Sequence, residues 1–152
     1  MYKFYLKENI SSKQMLDYVL KENNISNYEI YYNKYGKPYL NNGLYFNISH
    51  TKNIVVCVLS DKEIGIDIEY LRYSDNIVKK CFNQKEKEII KNSNNKKEIF
   101  TIIWTIKESY VKLLGIGLEY GLINVDTLKL KKSIDVKKYN NYIVTISWEA
   151  VT

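Results

Sequence analysis

The stretch Ile64-Gly65-Ile66-Asp67-Ile68-Glu69 decides the fold, because its apolar and polar side chains alternate as they do in a β-strand with one buried face. The isoleucines would point into a core, and Gly65, Asp67 and Glu69 would share the other face, where the glycine leaves space for a ligand. Two carboxylates so close repel each other unless a cation or a basic group lies between them. Mg²⁺ takes oxygen ligands of this kind. The alternative is a half-exposed strand whose acids face solvent.

The rest of the chain is predicted to alternate between short strands and helices. Residues with strand-like alternation are 2–6, Tyr28–Tyr32, Leu44–Ile48, Asn53–Leu59, Val125–Leu130 and Tyr142–Trp148, and residues with helical spacing are 11–23, 76–81, Asn83–Lys91 and Lys96–Leu114. This order contains neither regular βαβ alternation nor a glycine-rich phosphate loop. We therefore expect an α+β fold. Residues 1–152 would form a single compact domain made of two halves, about 1–62 and 63–152.

Composition excludes several classes of protein. The 152 residues have a hydrophobic fraction of 45% and a net charge of +6, which is typical of one globular domain with an acidic or phosphorylated partner. No apolar stretch is long enough for a membrane span, and the N-terminus lacks the regions of a signal peptide. Cys57 and Cys81 provide neither metal-ligand spacing nor a disulfide framework. We expect a cytoplasmic protein without a membrane partner.

A basic, tyrosine-rich nucleic-acid-binding module is the main alternative from composition. The 15 tyrosines could serve as stacking platforms beside the lysines. They are, however, spread through predicted strands and helices instead of being gathered with basic residues in one segment. We therefore expect no nucleic-acid partner.

A predicted helix carries a second group of candidate residues, in the stretch Trp104–Lys112. Trp104, Glu108 and Lys112 are spaced at i, i+4 and i+8, so they line one stripe of the helix. If this helix packs over the strand that carries Asp67, Glu108 becomes a third carboxylate for a metal. Lys112 would then reach toward phosphates that the metal also holds. An ordinary surface ion pair is the alternative for such an acid and base.

Three other residues are candidates on weaker grounds. His50 is the only histidine in the chain, and it is predicted to lie in a polar loop, Ser49–Lys52, after a strand. One histidine cannot build a histidine-based metal site, so a phosphate or adenine contact is its better use. Lys37 lies in a Gly-x-Pro turn. Glu86 fits a capping box with Asn83, which is a structural role.

Taken in order, five stretches resemble the Sfp-type 4'-phosphopantetheinyl transferases of the holo-acyl-carrier-protein synthase superfamily. They are GKPYL (Gly36–Leu40), FNISHT (Phe46–Thr51), IGIDIE (Ile64–Glu69), FNQKEKEII (Phe82–Ile90) and WTIKESYVKLLGIGL (Trp104–Leu118). The third and fifth stretches are highly specific when both occur in this order. A whole half-domain precedes the third stretch, which favours the Sfp type over the shorter synthase type.

The resemblance implies a pseudo-twofold α+β fold that binds coenzyme A in the cleft between its halves. The enzyme would transfer the 4'-phosphopantetheine moiety to a serine of an apo acyl or peptidyl carrier protein and release 3',5'-ADP. By this analogy Asp67, Glu69 and Glu108 hold Mg²⁺ on the pyrophosphate. Lys112 contacts the phosphates and stabilises the leaving group. Two fused halves imply a monomer.

The resemblance also assigns the nucleotide end and the base. Lys37 and His50 would contact the nucleotide, with Ser49 nearby. Glu86 matches a glutamate proposed as the base in the family, although Glu108 or a metal-bound water is the alternative. The family's basic N-terminal segment has no clear counterpart. A catalytically inactive relative that only binds carrier proteins or coenzyme A is a further alternative, which the complete set of motif residues disfavours.

Overall fold

The computed structural model describes residues 2–117, 121–130 and 133–149. Its strands are β1 (Tyr2–Glu8), β2 (Ile30–Tyr32), β3 (Pro38–Leu40), β4 (Tyr45–Thr51), β5 (Ile54–Ser60), β6 (Ile64–Tyr70), β7 (Ile134–Tyr139) and β8 (Tyr142–Trp148). Its helices are α1 (Ser12–Glu22), α2 (Asp75–Cys81), α3 (Gln84–Lys91) and α4 (Lys96–Leu114), with a short 3-10 turn at Thr127–Lys129. None of the helices in this part of the chain is long and apolar enough to cross a membrane.

Two antiparallel sheets of three strands share one topology. The first has the order β1-β5-β4 and the second the order β6-β8-β7, so in each sheet the first strand in the chain pairs with the last. The first sheet is built only from residues before Asp61, and the second only from residues after Glu63. The α+β class is confirmed. The division of one domain into halves at 1–62 and 63–152 stays a prediction.

Alternating side chains on the buried strand β5 contact two separate cores. Val55 and Cys57 face α1, while Val56 and Val58 face the second sheet. On that sheet the isoleucines of β6 fill the core between the sheets, as the alternation predicted. The opposite face of β6, with Gly65 and Asp67, is therefore turned toward α4.

Gly65 allows α4 to lie directly on β6. A Cβ atom built at Gly65 would overlap the Ser109 carbonyl oxygen and would lie 2.6 Å from the backbone nitrogen of Leu113. The expectation that this glycine leaves space for a ligand is wrong, because the helix backbone fills that space. The helix spans Lys96–Leu114, as predicted. It begins after an Asn95 cap, and Gly115, with a φ of 67°, follows its last residue.

The polar segment Ser49–Lys52 is not a loop. Ser49, His50 and Thr51 belong to β4, which turns into β5 through only two residues, with Lys52 at a φ of 52°. Polar composition led to the wrong prediction, since alternate polar side chains of β4 meet β6 instead of solvent.

Two further differences concern the C-terminal part of the chain. The segment Val125–Leu130 was expected as a strand, but it contains the 3-10 turn, where the side chain of Asp126 accepts a hydrogen bond from the Leu128 N–H. The strand at Ile134–Tyr139 was missed because most of its side chains are exposed and it lacks clear apolar alternation. It exists through its backbone pairing with β8.

Replacing Gly65 with alanine should lower the free energy of unfolding by more than about 3 kcal/mol, the upper end of the usual cost of overpacking. The new methyl group would meet backbone atoms of α4, which cannot rotate away. Urea denaturation measures the change. Gly43→Ala is the matched control, since Gly43 has a φ of 82° with open space around it, so it should cost only about 1–2 kcal/mol. Equal losses in the two variants would contradict the steric explanation.

Candidate functional site

The site lies at a seam, our name for the contact between the edge strands β4 and β6. These strands form no backbone ladder with each other. Instead, the Ile66 N–H donates to Asn47 Oδ1 at 2.9 Å, and the Ile68 N–H donates to Ser49 Oγ at 3.3 Å. Side chains of β4 thus satisfy the open edge of β6, as buried backbone groups require.

Asp67 lies in this seam and faces α4. It is 4% exposed, and its Oδ1 accepts a hydrogen bond from Ser49 Oγ at 3.1 Å. Its Oδ2 is buried and has no hydrogen-bond partner among the described residues. The carboxyl group lies within hydrogen-bonding reach of Glu108, a contact that needs a proton or a cation because two ionised carboxylates are both acceptors. Burial, and then the charge of Glu108, raise the pKa of Asp67 well above its usual range.

Glu108 and Lys112 approach the same point from α4. Burial raises the pKa of Glu108, while its contact with Asp67 and the charge of Lys112 oppose the rise. Burial lowers the pKa of Lys112, and the two carboxylates oppose that change. The Lys112 Nζ also donates to the Ile48 carbonyl of β4 at 2.8 Å. Two acids and one base from a strand and a later helix therefore converge, as the sequence predicted.

Glu69 shares the face of Asp67, but its carboxylate is bound elsewhere. Its Oε2 lies 3.4 Å from the Arg72 guanidinium, and its Oε1 accepts from the Thr51 hydroxyl at 3.4 Å. Across the described residues, no three Asp, Glu, His or Cys side chains are grouped closely enough to hold a metal ion. The structure thus brings together two of the three predicted metal ligands, and Arg72 neutralises the third.

A cavity of about 390 Å³ opens beside Lys112. It lies between the part of the chain that forms the first sheet and the part that forms the second. Its walls include Lys37 and Pro38, the β4 segment 46–48, and Val111 and Lys112 of α4. Two lysines and no carboxylate occur among the described lining residues, so the cavity suits an anionic ligand.

Lys37 holds the hairpin of β2 and β3 against the end of α4. Its Nζ donates to the Leu113 carbonyl at 2.8 Å and pairs with Glu63 at 3.2 Å. Burial lowers the pKa of Lys37, while Glu63 opposes the change. The lysine predicted for the nucleotide end thus lies in the cavity wall and also joins the two parts of the chain.

The other two residues predicted for the nucleotide end do not line the cavity. Ser49 is buried in the seam, whereas His50 is exposed on the opposite face of β4. His50 follows Ile48 on that face by two residues, and Ile48 does line the cavity. The structure therefore separates Ser49 from His50, although they are neighbours in the sequence.

Glu86 is in a structural position that does not support its predicted role as a base. It is fully buried, and its Oε1 accepts from the Asn83 N–H at 2.8 Å and pairs with Lys107 at 2.9 Å. Its Oε2 accepts from the Thr127 hydroxyl at 2.6 Å. Lys107 also donates to the Val125 carbonyl at 2.6 Å. This ion pair joins α3, α4 and the segment after α4, and the capping box with Asn83 is confirmed.

Lys107 was missed by the sequence analysis, although a signal exists. On a helix its neighbours at i±3 and i±4 are Trp104, Tyr110, Ile103 and Val111. A lysine surrounded by such side chains is buried and therefore needs a buried partner.

Comparison with known proteins decides the family. The model of the 4'-phosphopantetheinyl transferase superfamily matches residues 63–149, which include β6 and α4. The chain belongs to this superfamily. The predicted resemblance is thereby confirmed, although Leu118, the last residue of its fifth stretch, lies outside the described residues.

Several curated members of the superfamily match the chain. The 4'-phosphopantetheinyl transferase gsp of Aneurinibacillus migulanus is 39% identical over 106 residues, which cover 66% of this chain and 45% of that protein. HetI of Nostoc sp. is 37% identical, covering 57% and 41%, and Sfp of Bacillus subtilis strain 168 is 35% identical, covering 59% and 42%. The chain spans less than half the length of each of these transferases.

Replacing Lys107 with methionine should lower the free energy of unfolding by about 3–5 kcal/mol, because it leaves the charge of Glu86 buried without its cation. Adding Glu86→Gln should recover part of the loss, since glutamine is uncharged and still fits a capping box. Urea denaturation measures both. Lys79→Met is the control. It breaks an exposed pair with Asp75, worth less than about 1 kcal/mol. An equally small loss at Lys107 would show that the buried pair contributes little.

Proposed function

We propose that the protein transfers the 4'-phosphopantetheine moiety of coenzyme A to a serine of an apo acyl or peptidyl carrier protein. The products are the holo carrier protein and 3',5'-ADP. The observation that supports this proposal most directly is the buried pair of Asp67 and Glu108, which meets Lys112 beside a cavity whose described lining contains no carboxylate. Membership of the transferase superfamily agrees with it.

The acid pair fits a divalent cation. Asp67 Oδ2 is buried without a partner and lies against a second carboxyl group, and hard cations such as Mg²⁺ are bound by carboxylate oxygens. Asp67 and Glu108 would hold Mg²⁺, and Glu69 is the third proposed ligand. When bound, the ion supplies charge neutralisation and orientation at the pyrophosphate.

The chain's own residues then bind and orient the reacting groups. The serine oxygen of the carrier attacks the β-phosphorus, and the bond from that phosphorus to the oxygen of the 3',5'-ADP leaving group breaks. Lys112 binds the phosphates and stabilises the leaving group. A carboxylate would take the serine proton, and Glu108 is the better candidate because both oxygens of Glu86 are already bonded within the fold. Such transfers depend on positioning and charge neutralisation more than on covalent help from the protein.

Lys37 and His50 would bind the nucleotide end of coenzyme A. Lys37 lines the cavity, and His50 lies beyond Ile48 on the same side of β4. The basic net charge of +6 would attract an acidic carrier protein, which raises the association rate more than the affinity. A cytoplasmic monomer is the setting that we propose for this reaction.

Asp67→Ala and Glu108→Ala should each abolish transfer, because each removes half of the acid pair. The measurement is the mass of an apo carrier protein after incubation with coenzyme A, Mg²⁺ and enzyme, run against several carriers. Chelation of the metal should have the same effect. Glu88→Ala, which removes an exposed carboxylate of α3, is the control and should react like the unaltered protein. Full activity in either site variant would refute the metal assignment.

His50→Ala should weaken coenzyme A binding about tenfold or more, as the loss of a charge-assisted hydrogen bond of about 1.5–3 kcal/mol requires. Transfer at saturating coenzyme A should be largely retained. Calorimetric titration measures the affinity, with Asn76→Ala on α2 as an exposed control. An unchanged affinity in the His50 variant would exclude a nucleotide contact.

A further inference from the structure

We infer that Ser49 is a positioning residue for Asp67, which fixes the carboxylate so that one oxygen faces a divalent cation. This inference rests on the proposed function, because it assumes a cation between Asp67 and Glu108. It adds a role to the position near the nucleotide that the family resemblance implied for Ser49.

The hydroxyl group of Ser49 has one proton to donate, and the structure fixes its direction. The Ile68 N–H can only donate, so at 3.3 Å it occupies a lone pair of Oγ. Asp67 Oδ1 lies 3.1 Å away, and a carboxylate can only accept. When Asp67 is ionised, the hydroxyl proton is therefore directed to its Oδ1.

The backbone around Ser49 holds the hydroxyl in place. Ser49 pairs with Val56 in the ladder between β4 and β5. Two residues earlier, Asn47 accepts a hydrogen bond from the Ile66 N–H and so fixes the register of β4 against β6. Ser49 is 7% exposed and is absent from the described lining of the cavity.

The two carboxylate oxygens of Asp67 therefore have different surroundings. Oδ1 is held by Ser49, while the buried Oδ2 has no partner among the described residues and lies with Glu108. A cation placed between the two carboxyls would use the oxygen that the protein leaves unsatisfied. Without the hydroxyl, both oxygens of Asp67 would lack a donor and the side chain could rotate. Groups that orient metal ligands in this way typically change metal affinity about 10- to 100-fold.

Mn²⁺ alone is the probe, since it replaces Mg²⁺ at carboxylate sites and its free concentration is measured by electron paramagnetic resonance. Titration of the purified protein, without coenzyme A or carrier protein, separates metal binding from transfer. Ser49→Ala should bind Mn²⁺ about 10- to 100-fold more weakly than the unaltered protein. Ser49→Thr keeps the hydroxyl and should restore the affinity to within a few-fold.

Ser147→Ala is the matched control. Ser147 is, like Ser49, a buried serine on a strand, and its hydroxyl is hydrogen-bonded to Ser109 of α4 and to neither acid of the pair. It should lose stability comparably to Ser49→Ala and keep its Mn²⁺ affinity. Circular dichroism identifies the variants that fold. If Ser49→Ala does not fold, the threonine variant decides, because a folded Ser49→Thr that binds Mn²⁺ weakly would overturn the inference.

Asp67→Ala distinguishes failure of this inference from failure of the proposed function. Loss of Mn²⁺ binding in Asp67→Ala together with unchanged binding in Ser49→Ala would overturn only the positioning role. Unchanged binding in Asp67→Ala would overturn the metal site itself, and the positioning role with it. Weak binding in both, with rescue by Ser49→Thr, is the expected result.

Discussion

The open edge of β6 is the constraint on which the rest of the structure depends. Backbone N–H groups at a buried edge need acceptors, and β4 supplies them from side chains: Asn47 for Ile66 and Ser49 for Ile68. Both strands run in the same direction, since successive acceptors meet successive donors. Asp67 lies in this contact, with polar neighbours on one side and α4 on the other.

Electrostatics makes this arrangement costly for the fold and useful for chemistry. Burying two carboxyl groups side by side is unfavourable unless a proton or a cation lies between them. Lys112 offsets only part of the negative charge, because burial also disfavours its own charged form. Perturbed acids beside a cavity are typical of functional sites. By contrast, the buried pair of Glu86 and Lys107 has every oxygen bonded, which is typical of a structural ion pair.

The sequence predicts well which residues share one face of a strand or helix, and poorly which side chains pair between different elements. The alternation around Asp67 correctly predicted which face of β6 carries the isoleucines. The stripe on α4 correctly placed Glu108 on the helix face that meets Asp67, because helical spacing is a local property. The partner of Lys107 is Glu86, 21 residues earlier (107 − 86), which no local pattern reveals. Ser49 looked like part of a loop because its polar environment belongs to another strand.

Gly65 affects the geometry of the acid pair although it has no side chain of its own. Because the backbone of α4 lies against the backbone of β6 at this residue, the glycine determines the distance between the helix and the strand. Asp67 is two residues further along the strand, and Glu108 immediately precedes Ser109, whose carbonyl meets the glycine. The missing side chain at this residue therefore sets how closely the carboxyl groups of Asp67 and Glu108 approach each other, and any larger residue would push them apart.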